Sequence, residues 1–293
     1  TFIQNRSLMF AYIIWDVNPE FFSIGSFSIR WYGLLFASGF LIGQRVMTHI
    51  FRKEGLKEAL LDSLLLTMVI STVVGARLGH FLFYEPEVLL KLRLQVITPP
   101  FAGLASHGAT IGILLGLYIY ARTKKMSFLW VVDRIVITVA LGGCFIRLGN
   151  LMNSEIVGKV TDVPWAFVFT RNFEFTQYPR HPAQLYEAIA CLVLCFLLFW
   201  IWNKRKTQTP QGLLLGIFLI WVFGLRFVFE FFKENQVAFE NDLTYNMGQI
   251  LSIPAILMGV MFLIYAFRNK GTKQEIFTDS AAEEENRTDS QTA

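Results

Sequence analysis

Leu129-Trp130-Val131-Val132-Asp133-Arg134-Ile135-Val136-Ile137-Thr138-Val139-Ala140-Leu141-Gly142-Gly143-Cys144-Phe145-Ile146-Arg147-Leu148-Gly149-Asn150-Leu151-Met152-Asn153-Ser154-Glu155 starts as an apolar run and closes on an arginine, two asparagines and a glutamate. Its apolar part, Leu129–Leu148, has the length of about 20 residues that crosses a hydrocarbon core as helix. An arginine where lipid should be costs several kcal/mol, and in a membrane protein such a residue marks a functional site.

Working outward, the whole chain has this character. Of its 293 residues 54% are hydrophobic and 16% charged, more apolar side chain than a soluble domain hides. The reading is an all-α integral membrane protein with about seven transmembrane helices: Phe27–Met47, Leu60–Phe83, Gly103–Ala121, Leu129–Leu148, Gln184–Trp202, Gly212–Phe232 and Met247–Phe267. The runs lack the alternation, roughly ten residues per strand, of a barrel. The first 25 residues lack a basic region followed by a small-residue cleavage site and read as an interfacial lead-in. Residues 1–270 form the expected transmembrane catalytic domain, with a small extracytoplasmic cap over about 152–180 and strands within Trp165–Phe175. The polar, acidic residues 271–293 read as a disordered cytoplasmic tail.

Basic loops resist translocation, so they orient the helices. Arg45, Arg52, Lys53 and Lys57, then Arg122, Lys124 and Lys125, then Lys204, Arg205 and Lys206, then Arg268, Lys270 and Lys273 collect on one side, which is therefore cytoplasmic. The N-terminus lies outside and the C-terminus inside. The net charge of +4 follows this rule and gives no reason to expect nucleic acid. Cys144, Cys191 and Cys195 sit inside spans and read as small core residues rather than a disulfide or metal framework. HExxH, GxSxG, Walker and CxxC patterns are absent from the sequence, so neither metal nor cofactor is expected.

With the orientation set, most intramembrane polar residues fall near the outer level: Tyr32, Arg77, His107, Arg147 with Asn150, His181, Gln184 with Glu187, Arg226 with Glu230, and Asn246 with Gln249. The i, i+3 and i, i+4 spacings let each pair project in one direction, into the bundle, while the helix keeps an apolar face for lipid. A polar cavity in the outer half of the membrane is the simplest arrangement. Plainer readings stand beside it. Arg226 and Glu230 could neutralise each other, Arg77 could reach out to lipid phosphates, and His107 could be an interfacial histidine bonded to a carbonyl. Asp62, Asp133 and Arg134, at the cytoplasmic ends, read as structural. Gly75, Gly79, Gly103, Gly108, Gly112, Gly116, Gly142, Gly143 and Gly149 flank the polar positions, for close helix packing or for a ligand meeting the backbone. Arginine forks suit an anionic phosphate headgroup, and a histidine beside them is a natural proton acceptor.

At this point the residues resemble the prolipoprotein diacylglyceryl transferase family. Ile146-Arg147-Leu148-Gly149-Asn150-Leu151-Met152-Asn153-Ser154-Glu155 is similar to its signature Gly-Arg-x-Gly-Asn-Phe-x-Asn-x-Glu, with Ile146 for Gly and Leu151 for Phe. Gly75-Ala76-Arg77-Leu78, Gly103 to Gly108, Arg180 to Glu187, Arg226 to Phe231 and Asn246 to Ser252 resemble its other blocks in order, with Ala109 where a second Gly is usual. These departures change packing rather than charge.

The resemblance implies transfer of the sn-1,2-diacylglyceryl group from phosphatidylglycerol to the lipobox cysteine of a preprolipoprotein signal peptide, in the bacterial cytoplasmic membrane. It also implies the roles. His107 takes the thiol proton, and Arg147 and Arg226 hold the phosphate. Asn150 and Asn153 orient headgroup oxygens, Glu155 fixes an arginine or glycerol hydroxyls, Tyr32 adds a hydrogen bond, and Gly158 lets the loop backbone approach. Arg77 and Glu230 join the substrate-binding set, and His181, Gln184 and Glu187 are secondary candidates for it, structural or catalytic. The alternative is a phospholipid flippase with an outward polar cavity, which needs an inner polar path or an inverted repeat.

Overall fold

The computed structural model describes residues 12–25, 27–87, 105–174, 176–233 and 247–269. The tail 271–293, Gly103 and Asn246 therefore lie outside the described residues. The elements are β1 (Ile13–Trp15), β2 (Glu20–Ile24), β3 (Phe27–Arg30), α1 (Trp31–Lys53), α2 (Glu58–Tyr84), α3 (Ser106–Thr123), α4 (Phe128–Met152), β4 (Phe167–Phe169), α5 (Ala183–Arg205), α6 (Leu213–Phe229) and α7 (Met247–Arg268). Among the described residues six α-helices, every one but α3, are long and apolar enough to cross a membrane, so the chain is a multi-pass membrane protein. Such helices satisfy their backbone polar groups internally, which lipid requires. The 18 residues of α3 include His107 near one end and Arg122 near the other, which lower its apolar content.

The first span begins later than Phe27. Residues Phe27–Arg30 pair instead with β2 in an antiparallel hairpin, whose turn carries Gly25 at φ +59°. The lead-in is thus strand in part, and aromatic, β-branched residues explain it.

The chain divides into two compact units. The first comprises Thr1–Gly43, Val136–Lys204 and Leu213–Arg268. Within it β1 and β4 pair in parallel, Ile13 with Phe167 and Trp15 with Phe169. Leu151, Val157, Phe167 and Phe169 form a buried cluster, with Trp15 and Leu185 packed on it. The Trp15 indole donates to Leu151 O at 3.0 Å, which ties the end of α4 to this strand layer. Here too α6 packs on α7 through Gly216 and Gly259: a Cβ on Gly216 would lie 2.9 Å from Gly259 O.

The second unit comprises Gln44–Ile135, Arg205–Gly212 and Asn269–Ala293. Its α2 and α3 meet along a glycine seam. A Cβ on Gly75 would lie 2.6 Å from Gly108 O, and one on Gly79 would collide with Gly108 Cα. For Gly75, Gly79, Gly108, Gly112 and Gly116, close helix packing is therefore the reason for glycine. In this unit Arg134, fully buried, reaches Glu54 from Nε and Nη2 at 3.3 and 3.1 Å, and its guanidinium lies 4.6 Å over the Trp130 ring. Asp133 accepts from Gly212 N at 2.7 Å.

Candidate functional site

The signature segment closes α4 with a tight reversal. Asn153 N and Ser154 N still donate to Gly149 O and Leu151 O, both at 3.0 Å, and Glu155 N donates to Asn150 O at 3.1 Å. Ser154 and Ile156 sit at φ +53° and +57°, left-handed conformations that side-chain-bearing residues avoid and that gather at functional sites. The reversal folds Glu155 back over α4. Its carboxylate Oε1 accepts from Asn150 Nδ2 at 2.7 Å and Asn153 Nδ2 at 3.3 Å, while Gln184 Nε2 donates to its carbonyl at 2.5 Å.

Arg147, one turn before, meets Glu187 of α5: Nε lies 2.6 Å from Glu187 Oε2. That contact is ionic and outside hydrogen-bond geometry, since Oε2 has no hydrogen-bond donor. Arg147 Nη1 reaches Asn150 Oδ1 only at 3.5 Å, and the side chain stays 30% exposed. The other Glu187 oxygen contacts Lys233 Nζ, which lies 3.6 Å from Glu230 Oε2. Lys233 is 6% exposed. Tyr32 is half-buried within electrostatic range of Glu155 and Arg147, and its ring fills the space beside Gly149, where a Cβ would come within 2.7 Å.

Three backbone segments meet beneath this cluster. Gly158 N donates to His181 O at 3.0 Å, and Lys159 N to Phe232 O at 2.8 Å. A Cβ on Gly158 would lie 2.7 Å from His181 Cβ and 2.9 Å from Phe232 O, so the close approach there is between chain segments. His181 Nδ1 and Tyr186 Oη are 3.1 Å apart, and the indole of Trp165 donates to that hydroxyl at 2.8 Å. Burial pushes the His181 imidazole below its ordinary value, so the neutral ring is favoured, and the stability this gives is lost as pH falls through that lowered value.

The structure thus gathers Tyr32, Arg147, Asn150, Asn153, Glu155, Gln184, Glu187 and Glu230 in the first unit, with Gly158 and His181 below them. Arg226 is exposed at the end of α6, and Glu230 belongs to a 3-10 turn, Glu230–Phe232, that directs it to Lys233. Gln249 is buried and donates to Phe227 O at 3.4 Å. Arg77 and His107 belong to the second unit. Arg77 is 9% exposed with its guanidinium 4.5 Å over the Phe81 ring, so it is packed in protein rather than extended toward lipid. His107 is exposed in the first turn of α3, beside the loop whose Ala105 N donates to Ala76 O at 3.0 Å. The residue that sequence reasoning passed over is Lys233. Its signal was the i, i+3 spacing from Glu230.

A cluster of fixed amides, a half-exposed guanidinium and paired carboxylates can grip an anionic ester and orient hydroxyl donors around it. The family description "prolipoprotein diacylglyceryl transferase" matches residues 19–265 of this chain. Among similar proteins, one from Chloroherpeton thalassium is 45% identical over 88% of this chain and 96% of its own length. One from Bacteroides fragilis is 42% identical over 89% and 98%, and one from Tolumonas auensis 43% identical over 88% and 99%. Each of these relatives bears the name phosphatidylglycerol–prolipoprotein diacylglyceryl transferase.

Proposed function

The chain belongs to the prolipoprotein diacylglyceryl transferase family, and on that premise we propose that it transfers the diacylglyceryl group of phosphatidylglycerol to the lipobox cysteine of a preprolipoprotein, the first step of lipoprotein maturation. Sulfur bonds to the glyceryl carbon as the carbon–oxygen bond to phosphate breaks. The thiol proton passes to a base, and glycerol phosphate departs with the bonding pair. The relatives' names speak for transfer rather than for a flippase.

The observation that carries this reading is Arg147, anchored on Glu187 at Nε and on Asn150 at Nη1 while its side chain stays 30% exposed. A planar fork held this way meets a phosphate ester and the charge that develops on it. Arg226, exposed at the end of α6, supplies a second cation. Asn150 and Asn153 set Glu155, and Glu155 and Tyr32 meet headgroup hydroxyls. Gln184 and Glu187 hold this frame, while Gly158 and His181 support it from below. His107 takes the thiol proton, and Arg77 steadies the helix end beside it. The thiol, of reference pKa about 8.5, needs such a base near neutral pH.

In the same reading residues 1–270 act as one catalytic domain of seven spans, α3 included. Its N-terminus and the 152–180 cap lie outside the cytoplasmic membrane, with the tail within the cell. The basic loops named above support this orientation.

The test is to incubate purified protein with phosphatidylglycerol and a lipobox peptide and to weigh the peptide. A mass gain of one diacylglyceryl group is expected, and lipid scrambling without it would overturn the reading. His107→Gln is expected to slow single-turnover transfer most at neutral pH. A wild-type rate across pH would remove His107 as the base.

A further inference from the structure

Lys233 follows the last turn of the 3-10 segment after α6 and is almost wholly buried. Its place is fixed by the backbone, because Gly158 and Lys233 form an antiparallel bridge and Lys159 N donates to Phe232 O at 2.8 Å. A buried ammonium persists only where carboxylates answer it. Here two do: Glu187 Oε1 in contact and Glu230 Oε2 at 3.6 Å.

The consequence falls on Arg147. A carboxylate facing an arginine with no competitor takes two of its N–H groups side by side. Glu187 does not: Lys233 contacts one of its oxygens, and the other lies beside Arg147 Nε without a hydrogen bond. The two cations also balance the two carboxylates of this quartet. Without the ammonium, Glu187 and Glu230 would outweigh the guanidinium and repel an anion.

We propose that Lys233 is a positioning residue that engages Glu187 and Glu230, so that Glu187 meets Arg147 at Nε and leaves the partly exposed guanidinium and its charge to the phosphate ester. The proposal rests on the reading of Arg147 as the phosphate-holding residue.

The experiment uses the full chain in detergent, phosphatidylglycerol and a lipobox peptide, and compares Lys233→Met, Lys233→Arg, Glu187→Gln, the double variant Lys233→Met/Glu187→Gln and, as reference, Arg147→Lys. Lys233→Met is expected to raise KM for phosphatidylglycerol about tenfold or more, as for truncating one member of a buried charge pair, with KM for the peptide little changed. Lys233→Arg is expected to rescue most of that loss. The double variant, which restores the balance of charge, is expected to bind lipid better than Lys233→Met, a non-additivity that a packing role does not give. Equal losses in both KM values, additive losses, or a Lys233→Arg variant as weak as Lys233→Met would overturn the proposal. If Lys233→Met fails to fold, the double variant against Glu187→Gln decides: matching KM values for lipid support it, and a further loss sinks it. Unchanged transfer by Arg147→Lys would instead sink the underlying reading of Arg147, so the two failures are told apart.

Discussion

Arg134 and Arg147 stand on the same helix and each faces a glutamate, yet the two pairs are built differently. Arg134 is fully buried, gives Glu54 both Nε and Nη2, and lies against the Trp130 ring. Arg147 is 30% exposed, meets Glu187 through Nε, and leaves the rest of its fork lightly engaged. A guanidinium buried against its carboxylate is a fastener. One held at its stem is a hand left open. Residue type does not separate them; the partner's remaining oxygen does, since Glu187 divides itself between two cations.

The contrast can be broken most directly at Arg147. Arg147→Lys keeps the charge and loses the fork, and single-turnover transfer is expected to fall about 100-fold or more, on the order of removing one preorganised donor from a transition state. An undiminished rate would put Arg147 in the same class as Arg134. At Arg134 the expected loss is in stability: Arg134→Met takes the guanidinium away from the buried Glu54 carboxylate, at a cost of about 3–5 kcal/mol. Unfolding in detergent reads this, and adding Glu54→Met should recover much of it while transfer per folded molecule holds throughout. Recovery of activity but not of stability would contradict the division.

Smaller effects sharpen the picture. A methyl on Gly149 would press on Tyr32, so Gly149→Ala is expected to cost about 1–3 kcal/mol and to slow transfer. A variant of unchanged stability and rate would show that the Tyr32 ring yields freely. The smallest effect is expected from replacing Cys144, Cys191 and Cys195 together by Ala, because the attacking sulfur belongs to the substrate. Loss of transfer in a folded protein would contradict this.

The sequence made the spans visible because lipid imposes a length and a composition on them. It also made the Arg147, Asn150 and Glu155 group visible, since those residues are near neighbours along one helix end. Lys233 was hidden by distance: its burial depends on the strand at Gly158 and Lys159, far back in the chain. The partner of Arg134 was hidden for the same reason, with Glu54 80 positions away. The start of the first span was misplaced because Phe27 and Ile29 adjoin the apolar run, while Phe27–Arg30 finds a strand partner in β2.

The pairing of β1 with β4 has a temporal side. Thr170 Oγ1 donates to Asp16 Oδ1 across 154 positions of chain, next to the parallel register of Trp15 with Phe169. During synthesis the leading strand emerges long before its mate, and such distant pairings form late. The bond from the indole of Trp15 to the carbonyl of Leu151, at the very end of the signature helix, thus sits on a strand layer that β4 completes. A nascent chain halted before β4 would lack both that strand and Glu187, the partner of its arginine.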